Sequence, residues 1–343
     1  MAERPWGFES LRPHSIRTAI LPILAGFLER LGVEVPVVQA GMGGGLARHE
    51  LAAAVSAAGG LGTIGLLAPG DLRAEVAAAR RMMDGPLAVN LLLPFARRAH
   101  FEAASESDVV VTFWGRPTRR TSKIWIHQSG SVEESLAAYQ AGADAVIAQG
   151  VEAGGHVRGS LPAAELLARV RRALPDDYPV LSAGGIADQA DVRARLAAGA
   201  EAAVCGTRFL MTDESGAHPA YKARLVAAAE TILTELFGAG WPARHRVVRN
   251  EATARWLRTD PRGPGWVRAF HKATAPIFSR APAPMQLRMA AFQDPSRPIF
   301  GPAAAVSGGP ATLVEAGPLY AGACIDRIAD VRPAAEIVGA LTP

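Results

Sequence analysis

The chain has 343 residues, of which 49% are hydrophobic, 20% charged and 6% aromatic, which excludes a disordered or low-complexity protein. Its 36 basic and 32 acidic residues leave a net charge of +4, too balanced for a nucleic-acid-binding surface. With two cysteines, no leader-like N-terminus and no uncharged apolar run of the ~18 residues a bilayer needs, a soluble cytoplasmic protein is expected.

Residues 14–31 read as an N-terminal helix, with Pro22 as a break. From residue 33, short apolar runs alternate with segments of helical periodicity, and the runs start near residues 35, 60, 87, 108, 124, 144, 179 and 201. Strands this apolar, separated by amphipathic helices, belong to a parallel sheet whose outer face is covered. Eight such units predict an α/β protein built on a (β/α)8 barrel rather than an open sheet. One unit departs from the pattern. Between Phe113 and Ile124 lie ten residues without helical periodicity, and a crossover helix needs about a dozen, so the fourth barrel helix is expected to be shortened or missing. After residue 225 the rhythm stops. VAAAETILTELF reads as a helix, and the proline-, glycine- and arginine-rich stretch that follows reads as a smaller, mostly helical lid inserted after strand eight. LYAGACIDRIADVRPAAEIVGAL reads as a helix returning to the barrel. The expected division is residues 1–34, an N-terminal helical segment; 35–225, the barrel; 226–314, the lid; and 315–343, the returning helix.

Barrels of this kind carry their chemistry at the C-terminal ends of the strands. There the sequence places Gly41 and Met42 in a glycine-rich run, then Asn90, Gln128, Gln149, Ala183-Gly184-Gly185 and Gly206-Thr207. No cluster of acidic residues or histidines follows the strands, so no catalytic metal is expected. Gly184-Gly185 opening a helix after strand seven, with Gly206-Thr207 after strand eight, makes a cup of backbone N–H groups for a phosphoryl group. No GxGxxG follows a strand, so a nicotinamide dinucleotide is not the resident ligand. A flat ring lying on the glycines from Gly41 to Gly45, within reach of Asn90, Gln128 and Gln149, fits flavin mononucleotide (FMN). AQGVEAGGHVRG, residues 148–159, leaves the sixth run beside that ring. Gly154 and Gly155 let its backbone pass close and deliver His156, whose imidazole can exchange a proton with carbon at neutral pH. The other seven histidines (14, 49, 100, 127, 218, 245 and 271) are read as structural, and Glu152 as orienting the loop or neutralising Arg158.

Together, QAGMGGGLARHELAAAVSAAGGLGTIG, AVNLLLP, IHQSGSVEESLAAYQAGADAVIAQGVEAGGHVRG, SAGGIAD and CGTRFLMT resemble the nitronate monooxygenase family, formerly called 2-nitropropane dioxygenases. The resemblance is close over residues 35–225 and looser at YAGACIDRI. It implies an FMN-dependent TIM barrel with a lid, which oxidises nitronates with molecular oxygen to a carbonyl compound and nitrite by one-electron transfer through the flavin. Carried over by position, it makes His156 the base for a neutral nitroalkane or a polar partner for the nitronate. Gly41 and Met42 then touch the flavin ring; Asn90, Gln128, Gln149 and Gly154 are further flavin contacts; Ala183, Gly184, Gly185, Gly206 and Thr207 hold the phosphate. Gln128 stands where some members have lysine, and Ala183 where others have a serine hydroxyl. The implied partners are a small-molecule nitronate and oxygen, with a homodimer as the candidate assembly and neither nucleic acid nor membrane. Three alternatives stay open, one of them a non-flavin barrel that binds a sugar phosphate. The same barrel and EAGGH loop occur in flavin-dependent enoyl-acyl-carrier-protein and quinone reductases that use NAD(P)H, and a flavin-binding partner protein without turnover would share the fold.

Overall fold

The computed structural model describes residues 26–279 and 288–343, so residues 14–25 of the expected N-terminal helix lie outside the described residues. Nine strands occupy residues 37–205: β1 (Val37–Gln39), β2 (Gly62–Ile64), β3 (Leu87–Leu92), β4 (Val109–Phe113), β5 (Ile124–Ser129), β6 (Ala145–Gln149), β7 (Gly155–His156), β8 (Val180–Ala183) and β9 (Ala203–Cys205). All but β7 pair in parallel in the order β1–β9–β8–β6–β5–β4–β3–β2, and a bridge from Val38 to Leu61 joins β2 back to β1. This is a TIM barrel, and its eight strands coincide with the eight apolar runs.

Burial on both faces explains why those runs are continuous. Val38, Ala88, Val111, Ile126, Ile147 and Leu181 fill the lumen. Their neighbours Val37, Val89, Val110, Trp125, Val146 and Val180 face the surrounding helices. Each buried branched aliphatic side chain contributes about 1.5–3 kcal/mol, so both faces of the barrel strands are mostly apolar, and buried polar residues on them are paired, as Thr112 is with His127 at 2.8 Å. Helix α1 (Phe27–Leu31) puts Phe27, Leu28 and Leu31 into the lumen cluster beside Val109 and Ala145, the first residues of their strands, and so closes the barrel at its N-terminal end. The outer helices include α2 (His49–Ala57), α3 (Pro69–Met82), α4 (Arg98–Ala103), α5 (Val132–Gln140), α6 (Ala163–Ala173) and α7 (Gln189–Ala197). Residues 114–123 form neither helix nor strand. Arg119 ties this short connection down with bonds to Gly142 O and to Asp144 at 2.7 Å.

After β9 come α8 (Thr207–Leu210) and α9 (Pro219–Val226). Beyond them lies a small antiparallel sheet that the sequence reading does not anticipate. It consists of β10 (Ile232–Thr234), β11 (His245–Val248), β12 (Leu319–Tyr320) and β7, which leaves the barrel to pair with β11. The expected helix over 226–237 is therefore corrected: it ends at Val226, and Ile232–Thr234 is a strand. Two of those three residues are β-branched, and β11 offers them a ladder. The C-terminal segment is also only partly helical. Leu319–Tyr320 joins the sheet, and the helix spans Ala334–Leu341, because Pro333 suits the position before a first turn and not a helix interior. Among the described residues no helix is long and apolar enough to cross a membrane.

Candidate active site

The alternation that sends Ala88, Ile126, Ile147, Leu181 and Val204 into the lumen also sends Asn90, Gln128, Gln149, Ala183 and Gly206 there, at the C-terminal mouth. Asn90 and Gln149 are buried, Gln128 is half-buried, and Gln149 and Ala183 are level in the ladder. Gly41, just past β1, lies so close to Asn90 that a Cβ there would sit 2.2 Å from the Asn90 Cβ. Met42 is half-buried next to it, its side chain packed on two of the outer clusters.

The neighbouring turn is shaped to present amides. Gly184 and Gly185 take φ of +114° and +71°, conformations that favour glycine. Guanidinium groups hold their carbonyls: Arg195 donates to Gly184 O at 3.1 Å and Arg327 to Gly185 O at 3.2 Å. The N–H groups of Gly184, Gly185 and Gly206 find no acceptor among the described residues. Thr207 is buried, and its Oγ1 accepts the Gly322 N–H at 2.8 Å, which leaves its own hydroxyl hydrogen available.

His156 arrives on a strand rather than on a free loop. It pairs with His245 across β7 and β11, and Gln149 Nε2 donates to its carbonyl at 3.2 Å. Arg246 donates twice to Val151 O, and Arg244 to Gly159 O at 2.9 Å, so arginines of the small sheet clamp both sides of the segment. Gly155 sits at φ +73°, while Gly154 is close-packed: a Cβ there would lie 2.6 Å from the Ala321 carbonyl carbon. His156 Nε2 is out of solvent contact and has no hydrogen-bond partner among the described residues. Burial, and secondarily the nearby His245, hold its pKa well below the usual 6.5, so the imidazole is neutral at physiological pH. His245 is a structural histidine, its Nδ1 2.9 Å from Ala243 O and its Nε2 accepting the Phe237 N–H at 3.2 Å. One mouth therefore offers an unpaired imidazole nitrogen, lumen-facing amides and a turn of free N–H groups.

The model of the nitronate monooxygenase family matches residues 27–113 and 116–343. The chain belongs to this family. The family's break at Trp114 and Gly115 falls in the short fourth connection. A probable nitronate monooxygenase of Bacillus subtilis is 29% identical over 264 residues, covering 62% of this chain and 76% of that protein. Among solved structures, FabK from Thermotoga maritima is 31% identical with a TM-score of 0.72, covering 92% of this chain and 93% of its own. Nitroalkane oxidase from Streptomyces ansochromogenes is 30% identical with a TM-score of 0.70, covering 92% and 96%. This protein is accordingly a flavin-dependent oxidoreductase of the nitronate monooxygenase kind.

The family member carries features beyond the motifs. Trp241, in the loop between β10 and β11, stacks on His156 with centroids 3.6 Å apart and planes 12° apart. Trp114 sits at the end of β4 with φ +63°, the only non-glycine residue with positive φ among those described. Sequence reading missed both. The available signals were the glycines before Trp241 and the absent fourth helix, which leaves Trp114 at the mouth. Glu152 does orient its loop, but by accepting the Ala163 N–H at the start of α6. Arg158 is neutralised by Glu134 instead. His49, Glu50 and Glu75 come close enough to resemble a metal site, yet the Glu75 carboxylate is taken by the Arg48 guanidinium and the His49 N–H.

Proposed function

We propose that this chain is an FMN-dependent nitronate monooxygenase that converts alkyl nitronates or nitroalkanes and oxygen to carbonyl compounds and nitrite. The observation that carries this reading is the unpaired Nε2 of His156 at the barrel mouth. Two nitronates and one oxygen molecule yielding two carbonyls and two nitrites balance in atoms, charge and electrons. FMN, when bound, supplies the one-electron chemistry between nitronate and oxygen. Its fit rests on the glycine turn with free N–H groups at Gly184, Gly185 and Gly206, on the Thr207 hydroxyl, and on the close-packed Gly41 shelf beside Asn90. Met42, Gln128, Gln149, Ala183 and Gly154 complete the flavin-binding set.

With a neutral nitroalkane, His156 takes the proton from carbon at Nε2, and its depressed pKa leaves the imidazole unprotonated to receive it. With a preformed nitronate no proton need move, and the imidazole is a polar neighbour of the anion. Both cysteines are buried free thiols, in keeping with a reducing cytoplasm. The test is oxygen consumption by His156→Asn. It is expected to lose about 10²–10⁴-fold in kcat/KM for the nitroalkane and much less for the nitronate. Equal loss with both substrates counts against the base assignment.

A further inference from the structure

Trp241 is held like a guest. Its indole lies flat on the His156 imidazole, with Phe95 edge-on at 5.3 Å and Trp114 edge-on at 5.2 Å, both at 75°. The three aromatic rings come from different parts of the chain: after β3, after β4 and from the loop before β11. The Arg158 guanidinium backs Trp114 at 4.9 Å. Two nitrogens around this berth, Trp114 Nε1 and His156 Nε2, are out of solvent contact and unpartnered among the described residues. The first is a donor only, the second a base. A donor and a base beside an aromatic slot suit a molecule with a flat apolar ring next to a planar anionic or nitro group. The loop holding Trp241 contains Gly238 and Gly240, the latter at φ +85°. Stacked aromatic pairs are worth only about 0.5–1.5 kcal/mol beyond burial, so a ligand ring can compete with the indole.

We infer that Trp241 occupies the berth of the substrate's ring, and that the preferred substrates are arylalkyl nitro compounds, whose aromatic ring displaces the indole while Trp114 Nε1 donates to a nitro oxygen. This deepens the function proposed above and rests on it. Binding of unreactive planar anions isolates it from turnover: phenylacetate and propionate are titrated into the purified protein by calorimetry. The wild type is expected to bind phenylacetate about tenfold tighter, a difference of ~1.4 kcal/mol. Trp241→Ala removes the competitor and is expected to tighten phenylacetate severalfold, with Trp241→Phe intermediate; Trp114→Leu is expected to erase most of the preference. A Trp241 that is merely a wall gives the opposite sign. Equal affinities in the wild type, absence of binding by both anions, or weaker phenylacetate binding in both Trp241 variants overturns the inference. If the preference holds but no nitronate consumes oxygen, the proposed reaction fails while the aromatic berth stands.

Discussion

Gln149 Nε2 donates to the carbonyl of His156 at 3.2 Å, and Gln149 Oε1 accepts the Arg158 N–H at 3.4 Å. One buried amide at the end of β6 thereby fixes the segment that carries the imidazole. Leaving buried backbone groups without partners costs about 1–3 kcal/mol, so Gln149→Leu is expected to lower kcat/KM for a nitroalkane by roughly tenfold or more. Oxygen-electrode kinetics beside a melting curve check this: a similar loss from Glu152→Gln, which acts at the α6 cap, would deny Gln149 a special part.

Gly185 stands at φ +71°, and an added Cβ would lie 3.3 Å from the Glu152 Cβ. Forcing a side chain into the left-handed region costs about 1–2 kcal/mol, so Gly185→Ala is expected to weaken FMN binding about 5–30-fold in a barrel that still folds. Quenching of FMN fluorescence during reconstitution reads the dissociation constant; an unchanged value removes this turn from the phosphate site.

Burial depresses the His156 pKa well below 6.5, with a smaller push from His245. The general base therefore stays unprotonated on mild acidification. Activity toward a neutral nitroalkane is expected to hold as the pH falls through 6.5 and to decline only well below it, since a base works while it is deprotonated. A pH profile of kcat/KM with its midpoint at or above 6.5 contradicts the depressed value.

The fully buried His127 and His245 titrate at about 4 in the fold, against 6.5 as the ordinary value, burial being the main cause for both. Between those values the unfolded chain binds the extra protons, so stability is intact above about pH 6.5 and is lost as pH falls toward 4. Each histidine steepens that loss by about 1.4 kcal/mol per pH unit inside the window. Urea midpoints from pH 7 to 4.5 are expected to drop, and His127→Gln to flatten the drop by roughly one proton's worth. A pH-independent midpoint rules this out.

The barrel was legible because each strand is buried on both faces, so its run is mostly apolar and the runs could be counted directly. Asn90, Gln128 and Gln149 were legible as polar residues standing inside or at the end of apolar runs. The small sheet was not. Its strands are two to four residues long, and β7 and β12 gain their ladder only from β11, distant in sequence. Ile232–Thr234 sits in a window whose alanines and glutamate read as helix, and the available strand partner outweighs that local preference. Trp241 was hidden likewise. Nothing near it in sequence says that its indole ends on His156, a contact made by the return of β11 alongside β7.

Nitronate oxidation by bound FMN is tested most sharply by the visible spectrum of the purified protein under anaerobic titration, first with NADH and NADPH and then with a small alkyl nitronate. The protein is expected to be yellow with FMN bound, bleached by the nitronate and not by the nucleotides, with oxygen taken up on readmission of air. A colourless protein that does not take up FMN, or a flavin bleached by NADH or NADPH and indifferent to the nitronate, would contradict it.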